Sequence, residues 1–329
     1  MNIFEFLGLD PKHRAEDKIF QYVKHYADVN PKSDQGILHK KVSFPMYAQS
    51  KKDGVFAAVV IDCGTCKIFN RTGKRMTNVA LLERKFEDLM IEDGVYLGEL
   101  CNEYCSLEVL SGIVNPNRVK DLSTEQCTLC EGNNIFFFDF IDICDFITGR
   151  SDKIFRSRFK RLYKRLSHTN LDFLTVSVVS DEEELQAYAK RAIYNGQEGA
   201  VFKQDVEWLA GAKDWHQMKI VRGLHVDLEC IGYEEGTGKD EGLVANLLFR
   251  YKEGRTVKAM LGKGWTHADA EEMYDFINYG RDRGAPECIH SKSPIGKIFH
   301  VYGLQESSNG IIRLPKVSEM RHDKTEPDF

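Results

Sequence analysis

Between positions 44 and 100 the chain alternates short apolar runs with turn residues. Val55 to Ile61 is apolar throughout and is bounded by Asp53-Gly54 and Cys63-Gly64, with further turn signals at Arg71-Thr72-Gly73 and Asp93-Gly94. Runs of this length between such turns predict strands joined by hairpins. Val79 to Glu92 switches to helical spacing, whereas Ile135 to Ile143 is mostly aromatic or β-branched and predicts a buried strand. Helices are expected at Ser151–Ser167 and Asp181–Tyr194, and strands at Gly199–Gln204 and Trp215–Val221. Nearer the start, the spacing of Ile19, Phe20, Val23 and Tyr26 predicts a short helical cap within residues 1–30. Residues 107–134, with Asn115-Pro116-Asn117-Arg118 among them, read as a surface loop region.

The pattern changes after Val221. Leu224–Tyr233, Val244–Tyr251 and Arg255–Leu261 alternate as strands joined by glycine-containing turns. A helix follows at about Ala268–Tyr279, then two short strands at Ile298–Leu304 and Gly310–Leu314. Five short strands with one helix suit a small Greek-key barrel of the OB type. The expected fold class is therefore α+β, with an antiparallel-sheet domain at 1–221 and an OB-fold barrel domain at 222–329.

Composition narrows the possibilities. The 329 residues allow two ordinary domains, and 42% hydrophobic with 29% charged residues is the balance of a globular protein with real cores. A net charge of −5 gives no overall basic field, which leaves room only for a local basic groove. Val55–Ile61 is far too short to span a bilayer, and no other run comes close. Met1 to Asp10 lacks the basic region and cleavage site of a secretory signal. A cytoplasmic monomer with no membrane partner is expected, in a host cytoplasm if the source is viral. Nine cysteines, an odd number in a large chain, suit a reducing compartment. Cys101, Cys105, Cys127 and Cys130 have a ligand-like layout, but no glycine-rich knuckles flank the first pair. Structural zinc is not expected, nor is a redox role for Cys63 and Cys66.

One turn carries chemistry. In Gln49-Ser50-Lys51-Lys52-Asp53-Gly54 a lysine stands two residues before Asp-Gly, directly ahead of an apolar strand. Side chains two apart on a strand share a face, so Lys51 and Asp53 are expected to point the same way. A lysine amine beside a carboxylate can be a nucleophile held for a phosphorus centre. Five segments follow in order: Phe69-Asn70-Arg71-Thr72-Gly73, Leu97-Gly98-Glu99-Leu100, Phe136-Phe137-Phe138-Asp139, Glu198-Gly199-Ala200-Val201-Phe202-Lys203 and Trp215-His216-Gln217-Met218-Lys219. Arg321-His322-Asp323-Lys324 closes the series near the C-terminus, preceded by Gly310-Ile311-Ile312-Arg313-Leu314-Pro315.

This series resembles the nucleotidyltransferase motifs of ATP-dependent DNA ligases, particularly the small two-domain bacteriophage type. The resemblance covers roughly residues 44–326, and its order and strand context carry more weight than any one motif. It implies a ligase that seals 5′-phosphate/3′-hydroxyl nicks in double-stranded DNA. ATP would be the AMP donor and Mg²⁺, or Mn²⁺, the metal. Lys51 would be the nucleophile that becomes lysyl-AMP, with Asp53 in its motif. Glu99 and Glu198 would be the metal carboxylates, since Mg²⁺ takes one or two carboxylates plus phosphate oxygens. Lys203 and Lys219 would contact the α-phosphate, Phe138 would stack on adenine, and Gln49 would read the adenine amino group. Arg71 would grip the 5′-phosphate of the nick. Arg321 and Lys324, with Asp323, would orient pyrophosphate on a barrel domain that moves about residues 221–224.

Three positions depart from the family pattern. Phe56 stands where an arginine is usual, Gln217 where the first lysine of Lys-x-Lys is usual, and Gln49 where many ligases carry glutamate. Glu253-Gly254-Arg255-Thr256-Val257-Lys258 mimics one motif but falls out of order, between two barrel strands, and reads as a turn. Lys153, Arg156, Arg158, Lys160, Arg161, Lys164 and Arg165 lie on one helix with an apolar stripe of Phe155, Phe159, Leu162 and Leu166. A solvated basic face over a packed one is expected there; the sharper alternative is a contact to duplex backbone phosphates. Rival activities are an RNA ligase or an mRNA-capping guanylyltransferase of the same superfamily, and a non-catalytic nucleic-acid-binding OB protein. The intact Lys51, Glu99, Glu198 and Lys203 set argues against the last.

Overall fold

The strand Val55–Asp62 is buried from Phe56 to Ile61 because both of its faces are covered. Ala57, Val59 and Ile61 point into one hydrophobic cluster, and Phe56, Ala58 and Val60 into another. The period of two along a strand sorts them, and covering both faces explains a run with no polar residue. The computed structural model describes residues 1–14, 18–26, 42–262, 264–282 and 293–329. By its internal contacts the chain divides into two compact units, Met1–Val221 and Arg222–Phe329.

The described elements of the first unit are α1 (Ile3–Phe6), β1 (Lys24–His25), β2 (Met46–Lys51), β3 (Val55–Asp62), β4 (Thr65–Phe69), α2 (Ala80–Asp88) and β5 (Gly94–Asn102). There follow α3 (Leu107–Ile113), α4 (Thr124–Glu131), β6 (Asn133–Ile141), α5 (Ile143–Thr148), β7 (Arg150–Ser151), α6 (Phe155–Leu166) and β8 (Ser177–Val179). The unit ends with α7 (Glu182–Tyr194), β9 (Gly199–Lys203), β10 (Trp208–Leu209) and β11 (Gln217–Val221). Two main sheets result, one in the order β1-β11-β9-β2-β8 and one in the order β4-β3-β5-β6. Apart from the two-residue parallel pairing of β1 with β11, their ladders are antiparallel. Leu185 and Ala189 of α7 cover the first sheet, and Leu162 and Leu166 of α6 cover one face of the second.

Three expectations need correction. Of the helical cap expected within residues 1–30, Ile3–Phe6 is helical, but Ile19, Phe20 and Val23 lie in an irregular stretch that leads into the two-residue strand β1; Phe20 is buried there, and Lys24 pairs with Met218. Residues 27–30 lie outside the described residues. Packing of Phe20 and the sheet edge overrides the weak helical spacing. The loop expected at 107–134 contains α3 and α4, each started by a serine that accepts from the third helical N–H. Ser123 and Gln126 complete a capping box, a start signal readable in Ser-x-x-Gln.

The second unit is a closed barrel, β12 (Leu224–Glu235), β13 (Val244–Arg250), β14 (Thr256–Leu261), β15 (Ile298–Gly303) and β16 (Lys316–Met320), joined in the order β12-β13-β14-β16-β15. Leu228, Leu247, Phe249, Val257, Phe299 and Val301 fill its core. Helix α8 (His267–Asp282) lies between β14 and β15 in the chain and contributes Met273 and Ile277. The last strand is the third correction: it is Lys316–Met320, not Gly310–Leu314. Gly310 and Leu314 both take positive φ, 67° and 49°, which breaks an extended ladder and leaves Ile312 in a single bridge to Glu306. Among the described residues no helix is long and apolar enough to cross a membrane.

Gly199 starts β9 between two backbones. A Cβ there would meet the Ile220 carbonyl oxygen at 2.0 Å and the Val221 Cα at 2.7 Å. Gly199→Ala is therefore expected to push β9 from β11 and lower stability by about 2 kcal/mol or more, read as a lower denaturant midpoint with an unchanged slope.

Candidate active site

Strand pairing assembles the site. β2 runs antiparallel to β9 with Lys51 opposite Gly199, Gln49 opposite Val201 and Tyr47 opposite Lys203. β11 then sets Gln217 opposite Lys203 and Lys219 opposite Val201. The second sheet contributes Glu99, which faces Phe56 on β3 and Phe136 on β6. Between Leu97 and Gly98 the β5–β6 register shifts, leaving Phe138 as the extra residue. Such a bulge re-aims a side chain, and Phe138 is half-buried while its neighbours Phe137 and Asp139 are buried.

Several of these residues line one cleft, the concave kind of site that takes a small molecule. Gln49, Lys51, Arg71, Glu99, Phe138, Lys203 and Gln217 are among its walls. The turn after β2 can lie close to β5 only because residue 54 is glycine. A Cβ at Gly54 would stand 2.4 Å from the Leu100 carbonyl oxygen and 2.8 Å from Glu99 Cγ. That turn also carries Asp53, whose charge acts on Glu99.

Lys51 donates to a carboxylate, and the acceptor is Glu198, 147 positions away. The β2–β9 pairing brings Glu198 to the amine. Glu198 is buried and its backbone N–H donates to the Lys51 carbonyl at 3.1 Å. Lys219 belongs to the same electrostatic cluster: burial lowers its pKa, and the nearby charges of Lys51, Arg71 and Lys213 lower it further. Burial pushes Glu99 up to about 7, against the pull of Lys51 and Arg71, with Glu198 and Asp53 adding to the rise. Two carboxylates and three cations thus act on one another, and Lys51, Arg71 and Glu99 of this cluster line the cleft.

Arg71 stacks on Phe56, its guanidinium carbon 4.1 Å from the ring centroid, with Tyr22 at 5.7 Å. Phe56 in place of the usual arginine therefore supports Arg71 directly. Burial lowers the Arg71 pKa, opposed by Glu99. On the same cleft, Gln49 is 1% exposed and its Nε2 donates to the Phe138 carbonyl at 3.3 Å. Its Oε1 is buried without a partner, an acceptor whose burial is costly unless something donates to it. Gln217 donates to Gln21 at 2.6 Å, which holds the amide in place of the usual lysine.

Lys203 is 3% exposed and donates to the Phe138 carbonyl at 3.2 Å. Sequence reasoning did not find its neighbours Asp139 and Arg158. Arg158, expected on a solvated face, is 2% exposed and pairs with Asp139 through two nitrogens. The rest of α6 is largely neutralised as well: Arg161 pairs with Asp142, Arg165 with Glu92 at 2.7 Å, Arg156 with Asp205 at 3.4 Å. Lys160 and Lys164 remain exposed on that helix.

Arg321 and Lys324 lie in the second unit. Both reach Asp227, at 2.8 and 2.5 Å, and His300 contacts the other oxygen of that carboxylate at 2.8 Å. Asp323 forms a two-point pair with Arg321. The Glu253 mimic sits in a short 3₁₀ turn with its side chain exposed toward Arg255. Cys101, Cys105, Cys127 and Cys130 are free thiols. Asp62, Cys63 and Asp93 place ligand atoms within 4.8 Å of one another, but Asp93 already accepts from the Cys63 and Gly64 N–H groups.

The sequence profile of the ATP dependent DNA ligase domain matches residues 29–220, more than half of the chain. The chain belongs to the ATP-dependent DNA ligase family. The profile of the DNA ligase OB-like domain matches residues 235–321 in addition. No curated protein matches the chain by sequence. Among solved structures, one named Pmar-Lig_Pre is 18% identical with a TM-score of 0.70, over 93% of this chain and 68% of that one. A structure from a study of DNA binding with a minimal scaffold in Lig E DNA ligases is 15% identical with a TM-score of 0.63, over 92% and 98%. The ATP-dependent DNA ligase from bacteriophage T7 in complex with ATP is 16% identical with a TM-score of 0.50, over 93% and 100%. At these identities the likeness establishes the shared fold of this ligase family, an adenylation domain followed by an OB-like barrel.

Two outcomes follow from the charges in the metal-free protein. Glu99 holds its proton to about pH 7 when folded but has an ordinary value of 4.5. The folded state binds more protons in that window, so its stability falls as pH rises through it. Glu99→Gln is expected to raise the melting temperature at pH above 7 and to change it less below 4.5, read by parallel melts. Asp227→Asn removes the charge that both Arg321 and Lys324 grip, and is expected to speed limited proteolysis within residues 321–329.

Proposed function

We propose that the chain is an ATP-dependent DNA ligase that seals nicks in duplex DNA through a Lys51-AMP intermediate. The observation that carries this reading is the cleft in which Lys51, held by Glu198, shares walls with Glu99, Lys203 and Phe138. An apolar, amide-lined end suits adenine: Phe138 offers a ring face, and the unpartnered Gln49 oxygen offers an acceptor for the exocyclic amine. Lys203 and Lys219 supply cations for the α-phosphate. Glu99 and Glu198 are hard oxygen donors of the kind Mg²⁺ or Mn²⁺ takes from proteins. Such an ion, when bound, would neutralise triphosphate charge and act as a Lewis acid on phosphoryl oxygen.

The chain's own residues account for three transfers. Lys51 gives up its proton to solvent, its Nζ forms a bond to the α-phosphorus of ATP and loses a second proton to solvent, and the bond to the bridging oxygen breaks to release pyrophosphate. A 5′-phosphate oxygen of the nick then attacks the AMP phosphorus, the P–N bond breaks, and the lysine amine is regained. Arg71 grips that 5′-phosphate as a planar donor. Finally the 3′-hydroxyl attacks the activated 5′-phosphorus, AMP leaves, and the hydroxyl proton passes to solvent. Arg321 and Lys324 belong to this reading as cations for pyrophosphate. Nicked double-stranded DNA is the partner, and the protein acts as a monomer.

The test is transfer of label from α-labelled ATP to the protein, followed by chase into a nicked duplex. The unaltered protein should acquire one AMP and lose it as the nick closes, whereas Lys51→Ala should take up none. Retained labelling in Lys51→Ala would remove Lys51 from the role.

A further inference from the structure

Lys203 stands in an arrangement that a plain lysine–aspartate contact does not produce. Asp139 and Lys203 are 2% and 3% exposed, yet the amine lies 3.8 Å from the nearer carboxylate oxygen. An unencumbered pair would close to about 2.8 Å, since Coulomb energy is poorly screened away from water. Here both oxygens are occupied. Arg158 donates from Nε to Oδ1 at 3.0 Å and from Nη2 to Oδ2 at 3.1 Å, and the Phe140 N–H donates to Oδ1 at 2.9 Å. The guanidinium is itself fixed, donating from Nη1 to the carbonyls of Lys153 at 2.5 Å and Val206 at 3.1 Å. Lys203 leans instead on the Phe138 carbonyl and on the faces of Phe155 and Phe138, 4.4 and 5.0 Å from their centroids. One carboxylate against two cations leaves one net positive charge, and Lys203 is the member of the trio that lines the cleft.

We propose that Arg158 and Asp139 are positioning residues for Lys203: the guanidinium fork occupies the carboxylate, so the ammonium stays fixed and able to donate to the α-phosphate. The assignment rests on the adenylylation reading above. Removing one partner of a buried pair leaves the other uncompensated, so a loss of activity alone would not separate positioning from folding. The pH profile does. Burial sets the Lys203 pKa at about 8, with Asp139 raising it and Arg158 lowering it. Its strand partners, Tyr47 and Gln217, bring no formal charge at neutral pH.

The experiment follows label transfer from α-labelled ATP to the full chain over about pH 6 to 10, with a melt of each variant. In the unaltered protein the rate should fall as pH rises past about 8, where Lys203 loses its proton. Asp139→Asn removes the carboxylate and keeps the guanidinium, so the falling limb should move about one unit lower. Arg158→Met lets Asp139 close on Lys203, so the limb should move up while the plateau rate drops roughly tenfold or more. Arg158→Lys keeps the charge without the fork; it should fall between, and it stands in if Arg158→Met does not fold. Packing damage would lower rates without moving the limb in opposite directions. Labelled protein whose limb stays fixed in all the variants overturns this assignment alone. Unaltered protein that takes no label overturns the adenylylation reading, and the assignment with it.

Discussion

The ladder between β2 and β9 carries the site. It lays the last residue of one strand beside the first of another, so Lys51 meets Glu198 at the sheet's end and Lys203 lies four pairs further along the ladder. Taking an ammonium and a carboxylate out of water is costly unless each satisfies the other. The pair therefore fixes the amine at one place and orientation. Lys219 and Arg71 add positive charge to the same cluster.

The site divides its labour. One set of residues gathers charge, with Lys51, Glu198, Glu99, Arg71 and Lys219 acting on one another. The other presents a ring face and a buried amide oxygen, which the proposed function assigns to adenine. Lys203 lies beside the second set, donating to the Phe138 carbonyl that Gln49 also meets. The β5–β6 bulge turns Phe138 toward the cleft and leaves Asp139 facing the core, where Arg158 meets it. One extra residue in a strand thereby serves both the ring face and the cation behind it.

Much of this was legible in the chain because strands announce themselves by period and turns. Val55–Ile61, Gly199–Lys203 and the barrel strands follow from apolar runs bounded by glycine or aspartate, and the Lys51 turn from Asp53-Gly54. What escaped depended on distance along the chain. The Lys51 partner is 147 residues away, and no local spacing distinguishes Glu198 from Asp53 as the acceptor. Arg158 looked like one of seven cations on a solvated helix, and only the fold reveals that its stem enters the core. The serine caps at 106 and 123 were visible, but the Asn-Pro-Asn turn between them masked two short helices. The last strand was displaced because apolar Ile311 and Ile312 outweighed the positive φ that Gly310 and Leu314 adopt.

The central claim is that the amine gripped by Glu198 is the atom that bonds to phosphorus. The direct measurement is peptide mapping by mass spectrometry after incubation with ATP and Mg²⁺ and without DNA. The account predicts the mass of one AMP on the peptide containing Lys51, as an acid-labile phosphoramidate that excess pyrophosphate removes. An adduct on Lys52, Lys203 or Lys219 instead, or none on a folded protein, would contradict it.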